Sequence, residues 1–560
     1  MAEAMRLCRP HFAAAAAFSF FINLLFLAPA IYMLQIYDRV VATGGKTTLL
    51  FITIALAIAL LTLSALDSIR SRLLVRASLR LDALLAPQIL KRMMAANASG
   101  ASQAMRDFDT VRQTVSSPVM AALFDAPFAP LFLFVAFLLH FWIGMLAVVS
   151  VALLMFVAWR NQRSTAEANQ VGSQAMASSH AAAQAVAMNS STVRALGMTG
   201  SMVERQIGQR AIGLGELASA QFTGSRYSAM SRFLRLFVQS AALGVGALLA
   251  IAGYISAGAI IAASILLSRA LQPVEALIGG WASIGAAKAA LGRVALVFQG
   301  AGPERIHTQL PRPRGHLVVD QIGVRGADGR ALLFGVSLEV KPGEMLGVIG
   351  PSGSGKTTLA KVIAGAIAPD VGTVRVDGAQ LSDWDPDELA QYVGFVPQEP
   401  SLFEGTIKDN ISRFSEWGGS TVNIDSEAVA AAQRAGVHEL ILKLPQGYDT
   451  RLGPMGSGLS AGQAQRVALA RALYGDPVLL IFDEPNAFLD SEGEETLLKS
   501  IAGALERKCA VVLVAHRRSV LHGAHRLLVL EGGRPRMMGP PAEVAARLAG
   551  PAAPAEASAQ

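Results

Sequence analysis

Nine consecutive residues, Gly350 to Thr358, read GPSGSGKTT, with the apolar run Met345 to Ile349 before them and the helix-forming run LAKVIAGA after. A glycine-rich turn between strand and helix that ends in Lys and Thr is suited to holding phosphate. Gly350, Pro351, Ser352, Gly353, Ser354 and Gly355 would wrap phosphate oxygens with backbone N–H groups. The helix opening at Lys356, Thr357 and Thr358 would add its favourable dipole. Lys356 is expected to reach the β- and γ-phosphates, and the Thr357 hydroxyl to ligate Mg²⁺.

A second run, Val478 to Glu484, reads VLLIFDE. A buried strand ending in two carboxylates would be costly unless they serve a cation or a reaction. Asp483 would hold Mg²⁺ through water, and Glu484 would polarise an attacking water as general base. The plainer alternative is that the two acids cap the next helix. Between these runs, Leu459 to Gln463 reads LSAGQ and opens the helical stretch AQRVALARAL. Taken alone, a Ser at that place is an N-cap.

In this order the three segments resemble the nucleotide-binding domain of ATP-binding cassette (ABC) transporters. The resemblance implies ATP and Mg²⁺ as cofactors and hydrolysis by Glu484, His516 and Lys356. It implies that Ser460, Gly462 and Gln463 act in trans on ATP held by the phosphate loop of a second subunit. Gln398, in FVPQEPSLFEGTIKDNI, matches the glutamine that senses Mg²⁺. His516, in VLVAHRR, matches the histidine that contacts the γ-phosphate, and Asp490, in NAFLD, matches the loop that signals between the two sites. The chain departs from the pattern at three places. Ala461 replaces a glycine, no Tyr or Phe stands near Arg325 and Gly326 to stack on adenine, and Pro454 and Met455 stand where exporters commonly carry an acid.

The rest of the chain must position this chemistry, and its composition is unusual. Of 560 residues, 52% are hydrophobic and only 16% charged, against about 25% charged in soluble domains. Disorder is excluded, and part of the chain must face lipid. Runs long enough to cross a bilayer occur only in the first half. They are Phe12 to Tyr37, Thr47 to Leu66, Val119 to Trp159 as a hairpin turning at His140 to Gly144, and Leu236 to Trp281 with a turn at Tyr254 to Gly258. Six spans result. Two cysteines 501 positions apart, Cys8 and Cys509, exclude a disulfide framework.

Between Asp67 and Ser117 eight Lys and Arg stand against four Asp, and between Arg160 and Arg235 eight Arg against three Glu. Both connectors therefore belong on the cytoplasmic side, and their Ala, Met, Gln and Arg content predicts helices that prolong the spans. The net charge of +7 is then a signal of topology, and a nucleic-acid partner is not needed.

The expected architecture is an all-α six-helix transmembrane domain, residues 12–300, after a short segment 1–11. A Pro and Arg linker, 301–314, leads to an α/β P-loop nucleotide-binding domain, 315–548, and a disordered tail, 549–560. Three membrane stretches, LAPAIYMLQIYDRVVATGGKTTL, LFDAPFAPLFLFVAFLLHFWIG and SAGAIIAASILLSRALQPVEALIGGW, look like the PrtD-type permease ATPases of bacterial type I secretion. That resemblance implies an inner-membrane homodimer in contact with membrane lipid. It implies a periplasmic adaptor (membrane fusion protein) and an outer-membrane channel as partners, and a secreted polypeptide with an uncleaved C-terminal signal as substrate. An exporter of lipid, drug or peptide is the alternative. With 11 residues ahead of the first span, Cys8 is not expected to belong to a leader-peptidase domain. Arg269, deep in the last span, is expected either to line the polypeptide route or to snorkel or pair with Glu275. Asp125 reads first as structural.

Overall fold

The computed structural model describes residues 2–95, 101–299, 310–326, 328–418, 423–515 and 518–548. His516, the tail 549–560 and residues 301–309 of the linker lie outside them. The chain forms two compact units, Met1–Pro303 and Glu304–Gln560.

The first unit is helical, and among the described residues six helical segments are long and apolar enough to cross a membrane. The first run is not one helix: α1 (Ala2–Leu25) stops and α2 (Ala28–Gln35) restarts with Pro29 in its first turn, where the missing N–H does no harm. A π-helical turn, Ile36–Val40, follows. Next come α3 (Lys46–Ala95), α4 (Ala101–Val115), α5 (Pro118–Asp125) and α6 (Ala129–Leu139). His140 ends α6 and caps α7 (Phe141–Met188), accepting from the Trp142 N–H through Nδ1. α8 (Thr199–Ile251) and α9 (Ala257–Gln299) complete the set. At 48 residues α7 is about 72 Å long, more than twice the ~30 Å hydrocarbon thickness. The basic connectors are therefore the helical extensions that their composition predicts.

The short connectors gather at one end. Asp38 accepts from the Ser256 hydroxyl at 2.5 Å and the Gly258 N–H at 2.9 Å, so the π-turn anchors the start of α9. At the other end Cys8 of α1 is buried with Leu81, Leu85, Phe108 and Val294, and Arg293 forks onto Asp107 with two bonds of 2.7 Å.

Between the two ends lies a buried ionic cluster. Arg70 donates to Asp125 Oδ1 and Asp67 Oδ1, each at 2.6 Å, and to Ser19 Oγ at 2.9 Å, while Asn23 donates to Asp125 Oδ1 at 2.9 Å. Three helices, α1, α3 and α5, are joined there, which gives Asp125 a structural role. Glu275 is paired with Arg235 at 3.1 Å and not with Arg269. The Arg269 guanidinium instead lies 4.0 Å over the Phe26 ring and donates to Gln272 at 2.8 Å.

In the second unit, β1 (Leu317–Arg325), β2 (Ala331–Val340), β3 (Met345–Ile349), α10 (Lys356–Ile363), β4 (Val371–Val376), β5 (Val393–Val396), α11 (Ala461–Ala472), β6 (Leu479–Asp483), α12 (Ser491–Glu506), β7 (Ala510–Val514), β8 (Arg526–Glu531) and β9 (Arg534–Gly539) carry the site. One sheet runs β9-β8-β3-β7-β6-β5, parallel except at the β8-β9 hairpin. β3, β6 and β7 are continuous β-branched and aliphatic runs because both faces are covered, and both β6 and β7 are buried throughout. An antiparallel sheet, β2-β1-β4, with Ala379–Gln380 at its edge, shares a core with β3, β6 and β7 through Leu317, Val319, Val336, Leu346, Ile481 and Val512. Strands β3 and β6 flank β7, parallel to it, and end at the same edge of the sheet, which brings two distant motifs together.

Candidate functional site: a nucleotide-binding edge

The phosphate loop leaves β3 and enters α10 through Gly355, whose φ of 93° is open to glycine at little cost. A Cβ there would lie 2.7 Å from the Leu332 carbonyl oxygen, and one at Gly350 would lie 2.2 Å from that of Leu530. Both glycines are thus needed for the loop to nest between β2 and β8. Lys356 is buried and donates to the carbonyls of Gly350 and Pro351 at 3.0 and 2.9 Å, which holds its ammonium across the loop. Burial pulls its pKa down, against the pull of Glu484 and Asp483. Pro351, Ser352 and Gly353 form the exposed crest of the loop, while Ser354 is buried; Thr357 and Thr358 belong to the first turn of α10.

Asp483, 1% exposed, ends β6 beside that turn. Its Oδ1 accepts from the Thr357 hydroxyl at 3.2 Å, while its buried Oδ2 has no hydrogen-bond partner among the described residues. Burial pushes its carboxyl up despite that bond. An orphaned carboxylate oxygen beside a hydroxyl fits a hard cation. Among the described residues no group of three or more His, Cys, Asp or Glu could hold a metal alone.

Glu484 adopts φ 49°, a left-handed conformation rare outside glycine, and its N–H is bonded to the Val514 carbonyl at 3.0 Å. Its Oε2 accepts from Gln398 Nε2 at 3.0 Å. Two residues 86 positions apart are thereby brought together, just beyond the ends of β5 and β6.

Ser460 caps α11 in a reciprocal box. Its hydroxyl accepts from the Gln463 N–H at 3.3 Å, and Gln463 Oε1 accepts from the Ser460 N–H at 2.9 Å. Gly462 faces the Phe488 carbonyl, 3.0 Å from where a Cβ would stand. Asp490 caps α12 through the Gly493 N–H at 2.9 Å and pairs with Arg466 at 2.6 Å, and these contacts hold its carboxyl low.

Sequence reasoning missed Gln465 and Arg466. Buried Gln465 donates to the Pro485 carbonyl at 3.1 Å, so α11 is fastened to both ends of the segment 485–490 that follows Glu484. Their only sequence signal was two polar residues inside an apolar helical run. It also missed Arg413, whose Nε donates to the Arg471 carbonyl at 3.1 Å, and Arg471, which donates to the Ser401 carbonyl at 2.7 Å. Near Arg325 the antiparallel sheet exposes Leu332 and Phe334, with Arg534 stacked 4.7 Å over the Phe334 ring.

Residues 333–487 match the family model described as ABC transporter. The type I secretion system ATP-binding protein PrsD of Rhizobium meliloti (strain 1021) is 38% identical over 97% of this chain and 94% of its own length. The chain belongs to the ATP-binding proteins of type I secretion systems. The toxin RTX-I translocation ATP-binding protein of Actinobacillus pleuropneumoniae is 30% identical over 92% of this chain and 74% of its own. The alpha-hemolysin translocation ATP-binding protein HlyB of Escherichia coli O157:H7 is 28% identical over the same shares. A solved bacterial Atm1-family ABC exporter, 22% identical, covers 97% of this chain and 99% of its own at a TM-score of 0.80, so the fold is that of an ABC exporter. As a type I secretion ATP-binding protein, the chain is a multi-pass membrane protein and an ATPase coupled to export.

The raised Asp483 carboxyl has a consequence for stability. A carboxyl whose pKa rises on folding contributes stability that is complete below its unfolded value and lost as pH climbs through the folded value. At neutral pH the ionised Asp483 is therefore a destabilising charge. Asp483→Asn should raise the thermal unfolding temperature of the nucleotide-free protein and abolish the further rise that Mg²⁺ gives with ATP. Scans with and without Mg²⁺-ATP read both; an unchanged Mg²⁺ increment would remove Asp483 from the cation site.

Proposed function

We propose that this chain is the inner-membrane motor of a type I secretion system, exporting unfolded polypeptides with an uncleaved C-terminal signal, with its ATPase domain in the cytoplasm. The domain limits taken are 12–300 for the membrane part and 315–548 for the ATPase, joined by 301–314. The observation that carries the proposal is the meeting of Thr357 with Asp483 and of Gln398 with Glu484 in a chain whose similarity to PrsD runs through the membrane spans as well. The toxin and hemolysin translocation named for two relatives favours polypeptide over lipid or drug.

In this reading the phosphate loop from Gly350 to Thr358 holds ATP and Lys356 draws on its terminal phosphates. Thr357, Asp483 and Gln398 hold Mg²⁺, which neutralises phosphate charge when bound. Glu484, oriented by Gln398, takes the proton of the attacking water, and His516 contacts the γ-phosphate.

The working unit is a homodimer. Ser460, Gly462 and Gln463 complete the site of the second copy, and Asp490 links the two sites. The exposed Val203, Ile207 and Leu214, which share one face of α8, support this. They lie about 56 to 72 Å down α8 from Ile251, beyond the bilayer, where a bare apolar stripe calls for a protein partner. A periplasmic adaptor and an outer-membrane channel would complete the conduit. In proteoliposomes, ATPase activity should be stimulated by a polypeptide bearing a C-terminal secretion signal and not by added lipids or drugs; the reverse pattern would favour the alternative exporter.

A further inference from the structure

Helix α9 is the most buried of the membrane-crossing helices, yet its uncovered face does not suit lipid. Along α3 that face is Phe51, Ile54, Ile58 and Leu61, as a bilayer demands. In contrast, between Ala257 and Gly280 no large apolar side chain of α9 is exposed. Its partly or fully accessible positions at helical spacing run from Ile261 and Ile265 into Ser268, Arg269, Gln272, Glu275, Ala276, Gly279 and Ser283, so that from Ser268 onward the face is polar or small. A polar stripe of that length, about 23 Å, is tolerated at membrane depth only where it lines a watery cavity or protein.

Arg269 stands about 18 Å below the start of α9. Its contacts are the Phe26 ring at 4.0 Å and the neutral Gln272 at 2.8 Å. The carboxylates of the surrounding spans are engaged elsewhere: Asp38 with Ser256 and Gly258, Asp67 and Asp125 with Arg70, and Glu275 with Arg235. One guanidinium is thus held at mid-depth by an aromatic face, without a carboxylate among the described residues to balance it.

We propose that the α9 stripe faces the path of the exported chain and that Arg269 is a contact for its carboxylates, from acidic side chains or the chain terminus. The assignment rests on the reading of this protein as a polypeptide exporter. The charge on Arg269 favours entry of acidic segments and is screened as each carboxylate passes.

The test uses the full-length protein in proteoliposomes with Gln272→Cys, since Cys8 and Cys509 are buried. Anionic and cationic methanethiosulfonates of similar size are the probes. The anionic reagent should react about tenfold faster, Arg269→Gln should abolish the preference, and Arg269→Lys should restore it. An unfolded glutamate-rich polypeptide should slow labelling where a lysine-rich one of equal length does not. Absence of labelling by either reagent would mean that lipid or a second copy covers the stripe, and would overturn the proposal. So would a preference untouched by Arg269→Gln, or protection by phosphatidylglycerol in place of the acidic polypeptide. ATPase stimulation by polypeptide in the same liposomes is a separate readout: its loss counts against the export reading, while the reagent preference reports on Arg269 alone.

Discussion

Glu484→Gln should lower ATP turnover by at least about 10²-fold, in the range of a lost general base, and leave ATP bound and trapped. The side chain is replaced by one of equal shape, so the bond from Gln398 Nε2 to Oε2 and the packing at the end of β6 survive. The negative charge, and with it the capacity to accept a proton, is lost. The backbone at Glu484 carries a cost of its own: φ 49° at a non-glycine residue costs on the order of 1–3 kcal/mol. Glu484→Gly should accordingly raise thermal stability while turnover falls as far. Phosphate release and filter-retained nucleotide, measured together, check both; turnover at the wild-type rate in Glu484→Gln would remove Glu484 from the role of base.

The second large effect lies in the membrane unit. Arg70 and Asp125, with side chains 7% and 16% exposed, are bonded at 2.6 Å, and removing Asp125 leaves the buried Arg70 with the half-exposed Asp67 as its one remaining carboxylate among the described residues. Asp125→Ala should destabilise the protein by about 1.5–3 kcal/mol, whereas replacing both residues by apolar ones should cost less, because breaking a buried pair is worse than never burying it. Asp67 and Asn23, which share the cluster, would temper the loss. Unfolding in detergent across the double-mutant cycle reads the coupling. Additive effects of the two single substitutions would mean that the pair does not act as one unit.

Much of this was legible in the sequence because it is local. Strand, glycine turn and helix N-terminus are contiguous in GPSGSGKTT, and VLLIFDE is a strand with its carboxylates at its end. The spans were legible because about 20 apolar residues in a row have few other uses, and the turn at His140 because a polar residue interrupts an apolar run. What escaped was long-range or conformational. Arg70 and Asp125 are 55 positions apart, and nothing in either neighbourhood announces the partner. The break at Phe26 and Leu27 sits within an unbroken apolar run, and only Pro29 hints at it. Val393–Val396 is too short to stand out, and Arg534–Gly539, reading RPRMMG, is an edge strand with no alternation of polarity. Gln465 and Arg466 look like helix filler until the fold sets them against Pro485 and Asp490. The left-handed backbone of Glu484 has no sequence signature.

The central claim is that ATP hydrolysis at the Thr357, Asp483 and Glu484 edge drives polypeptide across the membrane. Its most direct measurement is protection of an unfolded polypeptide carrying a C-terminal secretion signal from external protease, in vesicles with the ATPase domain outward. The expected result is Mg²⁺-ATP-dependent protection in the wild type and none in Glu484→Gln. Protection without ATP, or equal protection in Glu484→Gln, would contradict it.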